Sequence, residues 1–400
     1  MPYLPVFLFF AMKFNQTIKE PLFDFFVQWH LTEKCNLKCT HCYQEGKEIR
    51  DMSLPEIKKT VRHISDTIQQ WSDTYEIPFS VSSSITGGEP LLRKDLSRIL
   101  QELAKYDFNI SVLTNGTLME KETARMLADL PVSGVQVSFE GPEAVHEEIR
   151  GKHSFSSAAR GVEFLLDAGI PVTLNVTLSE QNADFITDMV AVANNLGVQR
   201  LGFSRLVPYG RGFSMLTRML AKERVRAVYE QIFSTRVSGF KQEFIPQIPL
   251  FNQDPGARSD LNPCLSGESP VLKDEDLQIV TGDPVALQLG VEAVDDDSES
   301  FPVGGCAAGV SGVTLLPDGT ISPCRRLGIS IGNILKDSLR EVWATSSVLN
   351  ALRDKNAYKG KCKTCRRWSN CRGCRAIAYA CALSQGRNDF LEEDPQCFIE

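Results

Sequence analysis

This sequence has no excess of basic charge, no long apolar run, no internal repeat and no fourth cysteine beside the three that crowd near its start. Its 43 Lys and Arg face 50 Asp and Glu, a net charge of −7, which argues against nucleic acid as the main partner. The apolar stretch Pro2 to Met12 falls well short of the roughly 20 residues needed to span a bilayer. It also has no basic residues before it and no A-x-A site after it, so neither a membrane span nor a secretory signal is expected. An ordered N-terminal strand or a frayed end accounts for it, and a reducing cytoplasm is the expected location. Twelve cysteines would suit a disulfide framework in a short secreted chain. This chain has 400 residues, 42% of them hydrophobic, enough to bury a sizeable core without such bridges.

What is present is a spacing. Cys35, Cys39 and Cys42 form C-x3-C-x2-C just after the apolar segment Phe25 to Leu31, which reads as a strand. Structural zinc sites close with four ligands, and iron–sulfur clusters are normally held by four thiolates. Three local thiolates therefore point to a cubane cluster with one iron open to a small molecule. A broken zinc knuckle or three unrelated buried thiols are the alternatives.

The chain then alternates. Ser53-Leu-Pro-Glu56 reads as a capping box with proline in the first turn. Leu54, Ile57, Val61, Ile64, Ile68 and Trp71 follow at helical spacing. Strands are expected at Phe79 to Ile85, Ile110 to Leu113, Val135 to Phe139, Val172 to Leu178 and Arg200 to Ser204. Helices are expected around Leu96 to Leu103, Lys121 to Leu130, Ser156 to Ala168 and Phe185 to Leu196. Six β-then-α units imply a parallel sheet with right-handed crossovers, and six rather than eight imply a partly open barrel. The fold class expected is α/β, a partial (β/α)6 TIM-like barrel with a small cysteine-rich C-terminal domain. The expected divisions are an N-terminal segment 1–22, the barrel 23–210, an irregular connecting segment 211–300 with one helix near Lys222 to Phe233, and the cysteine-rich domain 301–400. The acidic run Asp295 to Ser300 reads as a solvated loop.

Thr86-Gly-Gly-Glu-Pro90 ends the second strand, where glycines let backbone carbonyls approach a ligand. With the cysteine loop on the first strand, this resembles the radical S-adenosylmethionine (SAM) superfamily, whose motif is C-x3-C-x-aromatic-C. His41 fills the aromatic position here, and Tyr43 follows the third cysteine. The resemblance implies that Cys35, Cys39 and Cys42 hold a 4Fe–4S cluster whose fourth iron is chelated by SAM. Reductive cleavage of SAM then yields a 5′-deoxyadenosyl radical. It also implies cofactor contacts from Gly87, Gly88, Glu89, Ser138 and Arg150, with Asn115 and Tyr43 as further candidates. Glu140 stands where the family commonly has Asp. Asn115 and Asn175 serve equally as turn or core hydrogen-bonders, and Arg150 equally as a surface helix cap. Arg205 in Arg-Leu-Val-Pro-Tyr-Gly210 matches an Arg-x-x-Pro-x-Gly found in the family and is read as lining either adenine or substrate.

The C-terminal cysteines resemble the SPASM extension of these enzymes. Cys306 precedes Gly319 and Cys324, then come Cys362-x2-Cys365-x5-Cys371-x2-Cys374 and Cys397. Two auxiliary 4Fe–4S clusters are implied, an outer one on Cys362, Cys365, Cys371 and Cys397 and an inner one on Cys306, Cys324 and Cys374. The spacing Cys371-x2-Cys374 is one residue short of the usual pattern. Ser300 occupies a position where some relatives have cysteine, so the inner cluster either keeps an open iron or takes Cys264. Cys381 is left over. A pair of zinc ribbons is the alternative.

The resemblance implies an enzyme with three 4Fe–4S clusters and SAM that modifies a ribosomally made precursor peptide, by C–S or C–C crosslinking. A flavodoxin- or ferredoxin-like reductant is the implied electron donor. Only 34 residues precede Cys35, too few for a leader-binding winged helix. Leader recognition is thus expected from a separate protein or from the segment Gly210 to Ser300, unless no leader is used. Tetrapyrrole side-chain removal is the other enzymatic reading, and a non-catalytic iron–sulfur electron carrier the non-enzymatic one.

Overall fold

The computed structural model describes residues 23–46, 48–234, 277–289, 302 and 304–399. The N-terminal segment 1–22, Cys264, Ser300 and the acidic run lie outside the described residues. Six strand–helix units run from Phe23 to Arg205: β1 (Phe23–His30), α1 (Leu54–Tyr75), β2 (Phe79–Thr86), α2 (Leu96–Ala104), β3 (Asn109–Thr114), α3 (Lys121–Ala128), β4 (Val132–Ser138), α4 (Glu143–Arg150), α5 (Ser154–Asp167), β5 (Val172–Leu178), α6 (Ile186–Asn195) and β6 (Arg200–Arg205). The helix α4, between β4 and α5, has no counterpart in the expected elements. Its eight residues, three of them glutamate, carry too short an apolar period to show.

Neighbouring strands from β1 to β6 pair in parallel, as short β–α–β crossovers require. Two further parallel strands come from outside the alternating region. Helix α7 (Lys222–Ser234) precedes β7 (Gln278–Val280), which pairs with β6, and β8 (Gly312–Leu315) pairs with β1. α7 is the helix expected near Lys222 to Phe233, whereas β7 falls in a part of the connector where no strand was expected. β8 falls within the expected C-terminal domain yet is a strand of the barrel sheet. A three-residue strand such as Gln-Ile-Val gives almost no periodic signal, which is why neither was legible. β9 (Thr320–Ser322) and β10 (Gly332–Asn333) extend the β8 edge antiparallel, giving the order β10-β9-β8-β1-β2-β3-β4-β5-β6-β7. The C-terminal region adds α8 (Leu339–Thr345), α9 (Ser347–Arg353), α10 (Gly360–Thr364) and α11 (Arg375–Ser384).

The sheet's two faces differ in chemistry. Phe25, Val27 and Trp29 of β1 are fully buried, and Ile57, Val61 and Ile64 of α1 pack into the same core. Each such side chain contributes about 1.5–3 kcal/mol through burial. Phe25 lies 5.1 Å, edge-on, from both Trp71 of α1 and Trp343 of α8, so the C-terminal region shares the barrel's core. The opposite face is polar. Gln136 and Ser138 of β4, Asn175 and Thr177 of β5 and Ser204 of β6 line a cavity, at the alternate positions that a period of two assigns to one face. Among the described residues no helix is long and apolar enough to cross a membrane.

Candidate active site

The cavity opens at the carboxyl ends of the parallel strands, where barrel folds place their chemistry. Cys35, Cys39 and Cys42 line it together. Their loop is fixed by three neighbours. Gly88 N donates to Thr32 O (2.7 Å) and Glu89 N to Lys34 O (2.8 Å), which ties the end of β2 to the chain entering the loop. A Cβ on Gly88 would lie 2.3 Å from Lys34 O, and one on Gly87 2.5 Å from Thr32 O. The two glycines therefore line the cavity and also permit this close backbone approach, the second of which the sequence does not announce. Thr40 N donates to Ile149 O (3.0 Å), attaching the far side of the loop to α4.

Glu89 is not in the cavity lining. Its carboxylate is fully buried and accepts from Thr114 Oγ1 (2.8 Å), Asn115 N (2.8 Å) and Leu91 N (3.1 Å). It holds β3 against β2, with its carboxylate engaged by these three donors. Asn115 does line the cavity, and its Nδ2 donates to Asn36 Oδ1 (3.0 Å) and faces Cys35 Sγ (3.8 Å). Its oxygen accepts from Thr117 N and Oγ1, so it closes a turn at the same time. Ser138 and Tyr43 both reach the cavity. Burial pushes the Tyr43 phenol up to about 12, so it stays neutral.

Glu140 carries a network no single motif announced. It is fully buried, and its Oε1 accepts from His41 Nε2 (2.9 Å) and from Arg150 Nε (3.0 Å) and Nη2 (2.5 Å). Its Oε2 accepts from Thr177 N (2.9 Å). Burial alone would raise its pKa, but His41 and Arg150 outweigh that and hold it at about 2. Arg150 is thus no surface cap: its side chain lines the cavity, with Nη1 3.8 Å from Cys39 Sγ. The longer Glu in place of Asp spans from β4 to the cysteine loop and to α4 at once.

Arg205 also touches the cavity, but its guanidinium is committed elsewhere. It pairs with Asp283 through Nε and Nη2, with Asp394 through Nη1 (3.0 Å) and Nη2 (2.8 Å), and with Gln396 Oε1 (3.0 Å). Asp394 in turn accepts from Cys374 N (2.8 Å). This arginine joins the end of β6 to the C-terminal cysteines while also lining the cavity.

The C-terminal thiols fall into two neighbourhoods. Cys362, Cys365, Cys371 and Cys397 lie close enough to act electrostatically on one another. Cys374 is similarly close to Cys306, and Arg326 neighbours both Cys374 and Cys324. The short Cys371-Arg372-Gly373-Cys374 turn works through two consecutive left-handed residues, Arg372 (φ 61°) and Gly373 (φ 60°). Arg372 is held there by donating to the carbonyls of Ser369 (2.9 Å) and Cys306. Cys381 stands apart, 3.8 Å from Met219 Sδ.

These residues fit iron–sulfur clusters. Thiolates are the ordinary ligands of such clusters, and Cys35, Cys39 and Cys42 face one cavity. The barrel cavity also holds polar atoms awaiting a partner, namely Gln44 Nε2, Arg211 Nε and Arg326 Nε.

Residues 29–191 match the Radical SAM superfamily model, and residues 306–375 match SPASM, an iron–sulfur cluster-binding domain. The chain belongs to the radical SAM superfamily. It is a radical SAM enzyme with a C-terminal SPASM domain, and it binds SAM and iron–sulfur clusters. It is 28% identical to the AdoMet-dependent heme synthase of Methanosarcina barkeri over 93% of this chain and 95% of that one. It is 26% identical to the mycofactocin maturase MftC of Mycolicibacterium smegmatis over 92% of this chain and 81% of that one. Its fold matches Streptococcus suis SuiB bound to S-adenosylmethionine with a TM-score of 0.66 at 17% identity, covering 94% of this chain and 78% of that one.

Proposed function

We propose that this enzyme oxidatively decarboxylates a carboxylate-bearing side chain of a tetrapyrrole in a cavity shared by the barrel and the SPASM domain. The observation that carries this is the cavity lining. Five arginines and no Asp, Glu or Lys face it. Arg150 and Arg205 are paired with buried carboxylates, whereas Arg325 and Arg326 have no ion pair with a described residue. A site of that character selects an anionic substrate. The near end-to-end match to the heme synthase supports the same reading.

In this reading Cys35, Cys39 and Cys42 hold the cluster that SAM completes. The SPASM cysteines hold two more, the outer on Cys362, Cys365, Cys371 and Cys397 and the inner on Cys306, Cys324 and Cys374. When bound, the barrel cluster and SAM supply a 5′-deoxyadenosyl radical that abstracts hydrogen from the substrate. The chain's own residues position and enclose. Gly87 and Gly88 set the backbone beside the loop, Asn115 and the Glu140–Arg150 pair fix its two flanks, and Ser138 offers a hydroxyl from β4. A flavodoxin- or ferredoxin-type donor in a reducing cytoplasm is part of the same proposal.

Peptide modification by C–S or C–C crosslinking is the second reading, and the similarity to the mycofactocin maturase favours it. Any separate leader-binding partner belongs to that reading. Anaerobic incubation with SAM, dithionite and either iron coproporphyrin III or candidate precursor peptides separates the two by mass spectrometry. The expected result is a side chain that has lost its carboxyl group as carbon dioxide and one hydrogen to 5′-deoxyadenosine, leaving a vinyl group, with the remaining electron taken up by an oxidised auxiliary cluster if one is bound. A crosslinked peptide with an untouched porphyrin would replace the first reading by the second.

A further inference from the structure

Arg150 is committed to Glu140, and Arg205 to Asp283 and Asp394. Arg325 and Arg326 are not. They are consecutive, follow Cys324 on the strand-to-loop exit of β9, and both line the cavity. Neither has a hydrogen bond or an ion pair with a described residue, and Arg326 Nε is buried with no partner. The Arg325 guanidinium lies over the Tyr43 ring, 5.5 Å from its centroid. That contact occupies its face and leaves its edge N–H groups free to donate. Two adjacent guanidinium groups that line one cavity, one of them with a buried N–H that no described residue accepts, suit an anion offering two oxygens. In the reading above SAM is engaged at the fourth iron of the barrel cluster, so the anion sought here is the substrate's.

We infer that Arg325 and Arg326 form a clamp for a carboxylate of the substrate, contributed by the SPASM domain to the barrel cavity. This rests on the reading of that cavity as the place where SAM and substrate meet. The ligand chemistry is a carboxylate with its oxygens exposed. A tetrapyrrole propionate or acetate presents it, and so does an Asp, a Glu or a free C-terminus of a peptide.

The test uses full-length, anaerobically reconstituted enzyme with SAM, and titrates two pairs of probes. One pair is iron coproporphyrin III and its tetramethyl ester, followed by absorbance. The other is a fluorescent Asp/Glu-containing decapeptide and its Asn/Gln counterpart, followed by anisotropy. Wild type should bind at least one carboxylate probe about tenfold or more tighter than its neutral counterpart, and the pair that responds identifies the source. Arg325→Gln and Arg326→Gln should each abolish most of that preference, a loss of about tenfold or more for a charge-assisted bond. Lysine at either position should restore part of it. Iron content and the electron paramagnetic resonance spectrum of the reduced clusters are measured on every variant. The clamp is overturned if wild type prefers neither carboxylate probe, a comparison that stands even if a variant does not fold. It is also overturned if the glutamine variants keep their affinity, with or without altered auxiliary-cluster spectra. An altered spectrum at unchanged affinity would assign the arginines to the inner cluster as counter-charges. Failure of wild type to form 5′-deoxyadenosine would instead count against the cavity reading itself, and is scored separately.

Discussion

The two cysteine-rich regions are built on opposite plans. The barrel thiols come from one eight-residue loop, Cys35 to Cys42, pinned at its flanks by backbone bonds from Gly88, Glu89 and Thr40 and open towards a cavity. The C-terminal thiols come from stretches spread between Cys306 and Cys397. Buried cations are threaded among them: Arg375 Nη2 faces Cys362 Sγ at 3.8 Å, and Arg372 donates to the Cys306 carbonyl. The first plan leaves room for an exchangeable ligand on one side. The second makes the cysteines a cross-link between distant segments, so that cluster and fold depend on each other. Arg205 is the joint between them, with its backbone on β6 and its guanidinium on Asp394.

If the plans differ in this way, breaking each should have separable effects. The largest effect belongs to the barrel loop. Replacing Cys35, Cys39 and Cys42 by alanine should abolish 5′-deoxyadenosine formation and remove roughly a third of the iron, as three clusters of four require. Iron assay and chromatography of the nucleoside check this. Loss of far more than a third would show that the two regions are not independent.

Cys371→Ala attacks the other plan. Its thiol is fully enclosed, and burial keeps it in the neutral form until metal binds. The variant should lose outer-cluster iron and substrate turnover while the barrel cluster still binds. Full turnover in this variant would reduce the outer cluster to a structural element. Roughly four irons with two zincs in the wild-type protein would replace both auxiliary clusters by zinc sites.

Gly88→Ala probes the loop without touching a thiol. The added Cβ, 2.3 Å from Lys34 O, forces backbone against backbone, which typically costs about 1–3 kcal/mol. Barrel-cluster iron should fall while auxiliary iron stays. An unchanged iron content would mean the loop tolerates displacement from β2.

Much of this was legible in the sequence because chemistry fixed it locally. The cysteine loop, the Gly-Gly turn and the six alternating units have strong local signals, and Ser138 arrives at the cavity by strand periodicity. What was not legible depends on partners far apart along the chain. Glu89 stands beside two glycines in the motif, and the sequence does not announce its bonds to Thr114 and Asn115 at the end of the next strand. Arg205 reaches the cavity as expected, but its bonds to Asp283 and Asp394 come from 78 and 189 positions away and carry no local signal. Arg325 and Arg326 carry no motif, and become visible only when the β8–β9 hairpin sets them beside Tyr43.

The joint itself gives the finest test, because Arg205 has two carboxylates with different second jobs. Asp394 also accepts from Cys374 N and Gln396 N, within the cysteine framework. Asp283 also accepts from Tyr229 OH (2.9 Å) and Val285 N (3.0 Å), away from any cysteine. In either Asn variant Arg205 keeps one carboxylate, so neither should approach the roughly 3–5 kcal/mol expected for stripping a buried charge of its only partner. Both should lose about 1–3 kcal/mol, the usual cost of a charged hydrogen bond, read as a lower thermal midpoint. They should part company in metal content: Asp394→Asn should release auxiliary iron, whereas Asp283→Asn should keep it. Equal iron loss in both would mean that Arg205 supports the SPASM cysteines as a whole rather than through Asp394, and equal retention would mean that the cysteine framework holds itself without the barrel.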